Sequence, residues 1–222
     1  MLIGVDMSAA ELELGSRLRG HNVELLERRA QNLRLAEHSV DAVVCHLAFM
    51  LMSPLEPVVE EIAHALRPGG LLAAVINRAP VAGPADNDND DVILAVSRRQ
   101  IGAFLAREYP HMGMPHTGDP RVGSLEGLGE LFSSGSGYQD ELEVRDFDLL
   151  IETSPKGIAD FLLSTYLLGA LPVEKQVQLR AEIEPSLDIY RSDEGMLRMA
   201  FLMWMILART VAHGRGSSTE GA

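Results

Sequence analysis

Four short apolar runs, set apart by helix punctuation, constrain this chain more than any other feature. Leu2 to Val5, Val23 to Leu26, Val40 to Cys45 and Leu71 to Ile76 are interrupted only by Gly4, Glu24 and Asp41. A continuous apolar run predicts a strand covered on both faces, as in a parallel sheet. Between the runs lie helix signals. Ser8-Ala9-Ala10-Glu11 matches a capping box, with a helix to about Arg19 and Gly20 to end it. Ser53-Pro54-Leu55-Glu56 matches a second box, with Pro at the first helical position. Leu55, Val58, Val59, Ile62 and Leu66 then share one helix face, Glu60, Glu61 and His64 take the other, and Pro68-Gly69-Gly70 stops the helix. Residues 1–77 therefore alternate β-α-β-β-α-β, which predicts an α/β fold with a doubly wound, mostly parallel sheet.

The remainder is less regular. Residues 78–123 are punctuated by Pro, Gly, Asp, Asn and His, and read as a lid insertion holding a helix from Ser97 to about Tyr109. Ser124 to Phe132 reads as a short helix, Ser133 to Gly137 as a turn and Glu143 to Ile151 as a strand. Pro155 to Leu168 and Pro172 to Leu187 read as helices opened by proline. Met196 to Ala208 fits a buried strand or a buried helix; the strand, antiparallel beside Glu143 to Ile151, is the better fit to the layout. The expected organisation is one domain over 1–212 and a disordered tail over 213–222.

Charge and composition narrow the function. Of 222 residues 46% are hydrophobic, enough for a sizeable core, and 19 basic against 32 acidic residues leave a formal charge of −13. That balance disfavours phosphate backbones, so nucleic acid is not an expected partner. The longest apolar run, Met199 to Ala208, is half of what a bilayer requires, so no membrane span is expected. A single cysteine, Cys45, allows no intrachain disulfide and fits a cytoplasmic location. No metal site is expected.

Asp6 carries most of the chemistry. Ligands in open α/β sheets bind beyond the carboxyl ends of the strands, where an acid can accept hydrogen bonds from both hydroxyls of a ribose. Position alone leaves open an Asp that merely ends its strand. The surrounding residues add to this. Leu2-Ile3-Gly4-Val5-Asp6-Met7-Ser8 resembles the second-strand motif of class I S-adenosylmethionine-dependent methyltransferases. Asn32-Leu33-Arg34-Leu35-Ala36-Glu37-His38-Ser39-Val40-Asp41-Ala42-Val43-Val44-Cys45 is similar to the stretch running into that family's fourth strand, and Leu66-Arg67-Pro68-Gly69-Gly70-Leu71-Leu72 to its helix-to-fifth-strand junction. The segments lie in the family's order and spacing, and are most similar to the branch acting on small molecules.

The resemblance implies a Rossmann-like methyltransferase fold with an antiparallel last strand, S-adenosylmethionine as cofactor and a small-molecule methyl acceptor as partner. It implies that Asp6 binds the ribose, Met7 lies on the adenine face, Ala30 and Gln31 sit at the adenine edge, and Cys45, His46 and Leu47 line the floor near the methionine moiety. Two departures stand beside it. Arg29 occupies the position of an adenine-accepting acid, and Arg cannot accept a hydrogen bond. The family's first strand and its Gly-x-Gly loop would precede residue 1, so the expected fold is truncated at its centre. Losing about five buried apolar side chains at roughly 2 kcal/mol each is comparable to a whole net stability of about 5–15 kcal/mol. The expected remedies are re-pairing of the second and fourth strands, a homodimer that lends a strand to the incomplete sheet, or a start upstream of Met1.

Other residues are weaker candidates. His46 is the candidate catalytic base, with a pocket-wall histidine as the alternative. Cys45 reads as a small buried hydrophobe rather than a nucleophile. Asp86 to Asp91 has the start of a calcium loop but lacks its glycine and closing glutamate, and reads as a solvated loop. His111 and His116 read as surface histidines, Gly135-Ser136-Gly137 as a plain turn, and the methionines around Trp204 as core. The leading function is methyl transfer by in-line displacement. The alternatives are a non-catalytic homologue acting through a partner and an NAD-dependent oxidoreductase, which also places an acid after its second strand.

Overall fold

The structure is a computed structural model and describes every residue except 18–19, 21, 78–91, 112–117, 140 and 212–222. The expectations for Asp86 to Asp91, His116 and the tail lie outside the described residues. The chain divides into two compact units. The first gathers Met1–Ile76, Thr117–Arg145 and Trp204–Ala222; the second gathers Asn77–His116 and Asp146–Met203.

The first unit opens with β1 (Leu2–Asp6), α1 (Ala9–Ser16) and β2 (Val23–Glu27). β1 and β2 pair in parallel, with Leu2 opposite Val23 and Asp6 opposite Glu27. Ser8 caps α1 by accepting from the Glu11 N–H at 3.3 Å. The reciprocal half of the expected box is different: the Ser8 N–H donates to Asp6 Oδ1 at 2.8 Å, so the carboxylate that reaches back is Asp6 rather than Glu11. The helix also ends at Ser16, short of the expected Arg19, and buries none of its residues.

β3 (Val40–His46) and β4 (Leu66–Asn77) form the second parallel pair, joined by α2 (Glu56–Ala65). The α2 face predicted to be apolar is the buried one: Leu55, Val58, Val59, Ile62 and Leu66 all lie in the core. Its N-terminus departs from expectation. Ser53–Pro54 is a cis peptide bond, the N-cap is Leu55, no side chain caps the helix, and Pro57 rather than Pro54 sits in its first turn. Glu56, the expected capping carboxylate, is instead taken by Arg121. The helix likewise ends before Pro68-Gly69-Gly70, which β4 absorbs. The register jumps there, from Val40 opposite Leu66 to Ala42 opposite Leu71, and Gly69 takes φ +76. Thr210 ties the irregular stretch down, its hydroxyl donating to the Arg67 carbonyl at 2.7 Å and its N–H to the Gly70 carbonyl at 3.1 Å.

The strand order is β3-β4-β6-β5, with β5 at Glu143–Thr153 and β6 at Leu197–Arg209, while β1 and β2 form a separate two-stranded sheet. Re-pairing of β1 with β3, one of the expected remedies, does not occur. The boundary between the two units runs through β5 and β6. The core of the first unit clusters Phe49, Leu55, Val58, Val59, Leu72, Ile76, Phe132, Tyr138 and Trp204. The Tyr138 hydroxyl donates to the Val59 carbonyl at 3.1 Å, and burial pushes its pKa up.

The second unit is mainly helical, with α3 (Val92–Glu108), α5 (Pro155–Leu163), α6 (Tyr166–Gly169) and α7 (Val173–Leu187), while α4 (Leu125–Leu131) belongs to the first. α3 starts earlier than the expected Ser97, because Ser97 is buried and returns its hydroxyl to the Ile93 carbonyl at 2.8 Å instead of capping. α7 holds α3 through Arg107–Glu182 and Lys175–Glu108, and α5 through Arg180–Asp160. No described helix is long and apolar enough to cross a membrane. Among the described residues, no group of His, Cys, Asp and Glu is placed to hold a metal ion.

Candidate active site

The carboxyl ends of the parallel strands carry the predicted residues in two groups. At the end of β1, Asp6 is exposed; its Oδ1 accepts from Ser8, and its backbone carbonyl accepts from the Arg28 N–H at 2.9 Å. That last bond ties the residue after β2 to the end of β1, and Ala30 and Gln31 follow two and three residues later. Both are half-buried in a 3-10 turn over Ala30–Asn32. The Arg28 guanidinium fixes the chain that follows by donating to the carbonyls of Leu33 and Arg34. Met7 is 63% exposed, leaving an apolar, flexible side chain open beside Asp6. Arg29 is exposed and caps nothing.

The second group ends β3. Cys45 packs against the core, and burial pushes its thiol up against the opposing pull of the Phe49 and Ala48 N–H groups. A thiol so held is a poor nucleophile, as expected of a small hydrophobe. His46 is exposed, and Leu47 turns the chain with φ +53 while donating to the Val75 carbonyl at 2.8 Å. A left-handed leucine costs about 1–3 kcal/mol and persists only where its surroundings over-determine it. Val5, Ala30 and Cys45 all pack against the same core cluster, so both groups are built on one foundation.

Sequence reasoning missed the charges that hold the segment after Leu47. Asp119 is 6% exposed, and its carboxylate accepts from the Arg121 Nε at 2.9 Å, Nη2 at 2.6 Å and backbone N–H at 3.0 Å, and from the Leu55 N–H. Arg121 Nη2 also reaches Glu56 Oε1 at 2.6 Å. The Arg121 guanidinium holds the Asp119 carboxyl below its usual range. Glu56 is held low first by its own N–H and then by Arg121. Asp119-Pro120-Arg121 looks in sequence like part of the lid; an Asp two residues before an Arg was the only local signal of an Asx-type turn.

Residues 1–74 match the family model described as a methyltransferase domain. The chain shares its fold with solved methyltransferase structures. The chain aligns over 96% of its length with the YcgJ protein of Bacillus subtilis, at 18% identity, covering 82% of that chain with a TM-score of 0.54. It aligns over 95% with a candidate methyltransferase of Bacillus halodurans, at 16% identity and 83% of that chain, TM-score 0.55. A candidate type II methyltransferase of Anaeromyxobacter dehalogenans gives 95% and 81% coverage at 19% identity, TM-score 0.54. No curated protein matches the sequence. At such identities the structural likeness carries the fold, and the methyltransferase-domain match rests on the first third of the chain.

Proposed function

We propose that this chain binds S-adenosylmethionine at the ends of β1 and β3 and transfers its methyl group to a small-molecule acceptor. The observation that carries the reading is Asp6: an exposed carboxylate at the carboxyl end of a parallel strand, oriented by Ser8, with Oδ2 left to accept from a ribose. Asp6 supports the ribose half; Met7 would lie against the adenine face and Ala30 and Gln31 at its edge, with Arg29 where an adenine-accepting acid is expected. The methionine half would rest on Cys45, His46 and Leu47.

When bound, S-adenosylmethionine supplies an electrophilic methyl carbon on a sulfonium sulfur. An acceptor nucleophile held in line would take that methyl group as the carbon–sulfur bond broke, with S-adenosylhomocysteine as the other product. The protein contributes alignment of nucleophile and methyl and exclusion of water. His46, exposed at the end of β3, would be the base that takes the proton of an O–H or N–H acceptor.

A second reading, a non-catalytic homologue that works through a partner, is favoured by one observation: β1 and β3 lie in separate sheets. Titration calorimetry decides. The full chain should bind S-adenosylmethionine and not NAD, and Asp6→Ala should weaken binding about tenfold or more, since each charge-assisted hydrogen bond contributes about 1.5–3 kcal/mol. A folded chain that ignores S-adenosylmethionine defeats the cofactor assignment, and one that binds NAD makes the oxidoreductase alternative correct.

A further inference from the structure

The segment from Leu47 to Leu55, which leaves the proposed cofactor floor and enters α2, is fastened at four further points. Phe49 is fully buried with its ring stacked on Phe132 at 5.8 Å. Gly118, at φ +78, lies so close that a Cβ there would meet the Met50 carbonyl oxygen at 1.9 Å. The Leu55 N–H donates to the Asp119 carboxylate. Glu56, where α2 begins, is paired with Arg121 at 2.6 Å. Behind Arg121 stands α4: a Cβ on Gly127 would come within 2.5 Å of the Arg121 carbonyl oxygen, and Ser124 caps that helix by accepting from Gly127 at 3.0 Å. Residues 118–121 thus brace the loop after β3 and the first residue of α2.

Holding a fold together does not require this chemistry. A desolvated ion pair contributes little net stability compared with apolar packing of equal volume. What a bidentate guanidinium–carboxylate pair contributes is direction, because both partners are planar and charge-assisted hydrogen bonds tolerate little displacement. The loop it fixes is continuous with Cys45, His46 and Leu47.

We propose that Asp119 and Arg121 are positioning residues for the cofactor floor, setting the path of Leu47–Glu56 so that the end of β3 meets the ligand. This rests on the methyltransferase reading above. The test uses the full chain, S-adenosylhomocysteine as probe, its Kd by calorimetry and the thermal midpoint of the free protein. Arg121→Met and Glu56→Gln should weaken the probe about tenfold, the scale of loss expected when positioning slips by a fraction of an ångström. Arg121→Lys should not rescue it, since an ammonium cannot span Asp119 and Glu56 as a fork. Arg107→Met, which breaks the Arg107–Glu182 pair between α3 and α7, should lower the midpoint without changing Kd. Should Arg121→Met not fold, Glu56→Gln carries the test, because the Glu56 side chain is 54% exposed and its loss leaves the Asp119–Arg121 pair intact. Unchanged Kd in Glu56→Gln and in a folded Arg121→Met, with Asp6→Ala still impaired, overturns the positioning role and leaves the methyltransferase reading standing. A wild-type chain that does not bind the probe overturns both.

Discussion

The two faces of the β3–β4 pair differ sharply, although the sequence writes them in the same residues. On one face Leu72, Ala74 and Ile76 are completely buried beneath α2 and the Phe49–Phe132–Tyr138 cluster. On the other, Ala42, Val44 and His46 of β3 are exposed, and their partners Leu71, Ala73 and Val75 on β4 are only half-buried. Val44 is 79% exposed. An unbroken apolar run predicts cover on both faces, yet composition states only that a strand tolerates burial; the cover must come from other elements. Here α2 supplies it on one side, and no described element does so around Val44. β1 shows the same contrast in milder form, with Leu2 at 64% exposure at the start of a strand that reads as buried.

The largest expected effect tests the covered face. Leu72→Ala should cost about 2–5 kcal/mol, because it removes a fully enclosed side chain and leaves a cavity that α2 cannot collapse into. Leu71→Ala, one residue away on the other face, should cost markedly less. Denaturant unfolding with unchanged slope measures both, and equal losses would mean that the two faces are equally packed.

Most of the architecture was legible because it depends on period and punctuation. The apolar stripe of α2, the cap at Ser8 and the short helix after Ser124 follow from local rules, whereas β6 was chosen as a strand on layout, since its apolar run fitted a helix as well. What was illegible depends on partners distant in sequence. Glu56 had every local credential of a capping residue, but Arg121 takes its carboxylate. Pro68-Gly69-Gly70 marked the end of the helix, but nothing local showed that β4 would run through it, where Thr210 and Arg209 bind the carbonyls of Arg67, Gly69 and Gly70. Asp6 could be read as a candidate from its place at a strand end, whereas the role of Asp119 could not be read, because its burial and its bond to Leu55 exist only in the folded chain.

The brace around Asp119 sharpens the comparison at intermediate scale, since it is polar where the covered sheet face is apolar. Arg121 holds the Asp119 carboxyl below its ordinary range, and Glu56 is lowered as well. A carboxylate whose pKa is depressed on folding binds protons more readily in the unfolded chain. Its contribution is therefore complete above the ordinary carboxylate pKa of about 4 and is lost as pH falls through the folded value. The thermal midpoint should hold from neutrality to about pH 5 and then fall. Asp119→Asn should be less stable at neutrality, and its midpoint should fall less steeply on acidification. A parallel fall in both proteins would show that other carboxylates govern the acid limit.

Val44 gives the smallest expected effect and the most direct test of the open face. If the face is bare in solution, Val44→Thr exchanges one exposed β-branched side chain for another and should shift stability by no more than about 0.5 kcal/mol, independent of protein concentration. If a second copy covers this face, the same substitution places a hydroxyl in an interface. The loss should then exceed about 1 kcal/mol, and the thermal midpoint should rise with protein concentration. Unfolding Val44→Thr and the native chain at two concentrations a hundredfold apart separates the cases, because mass action reaches only a face that another molecule covers.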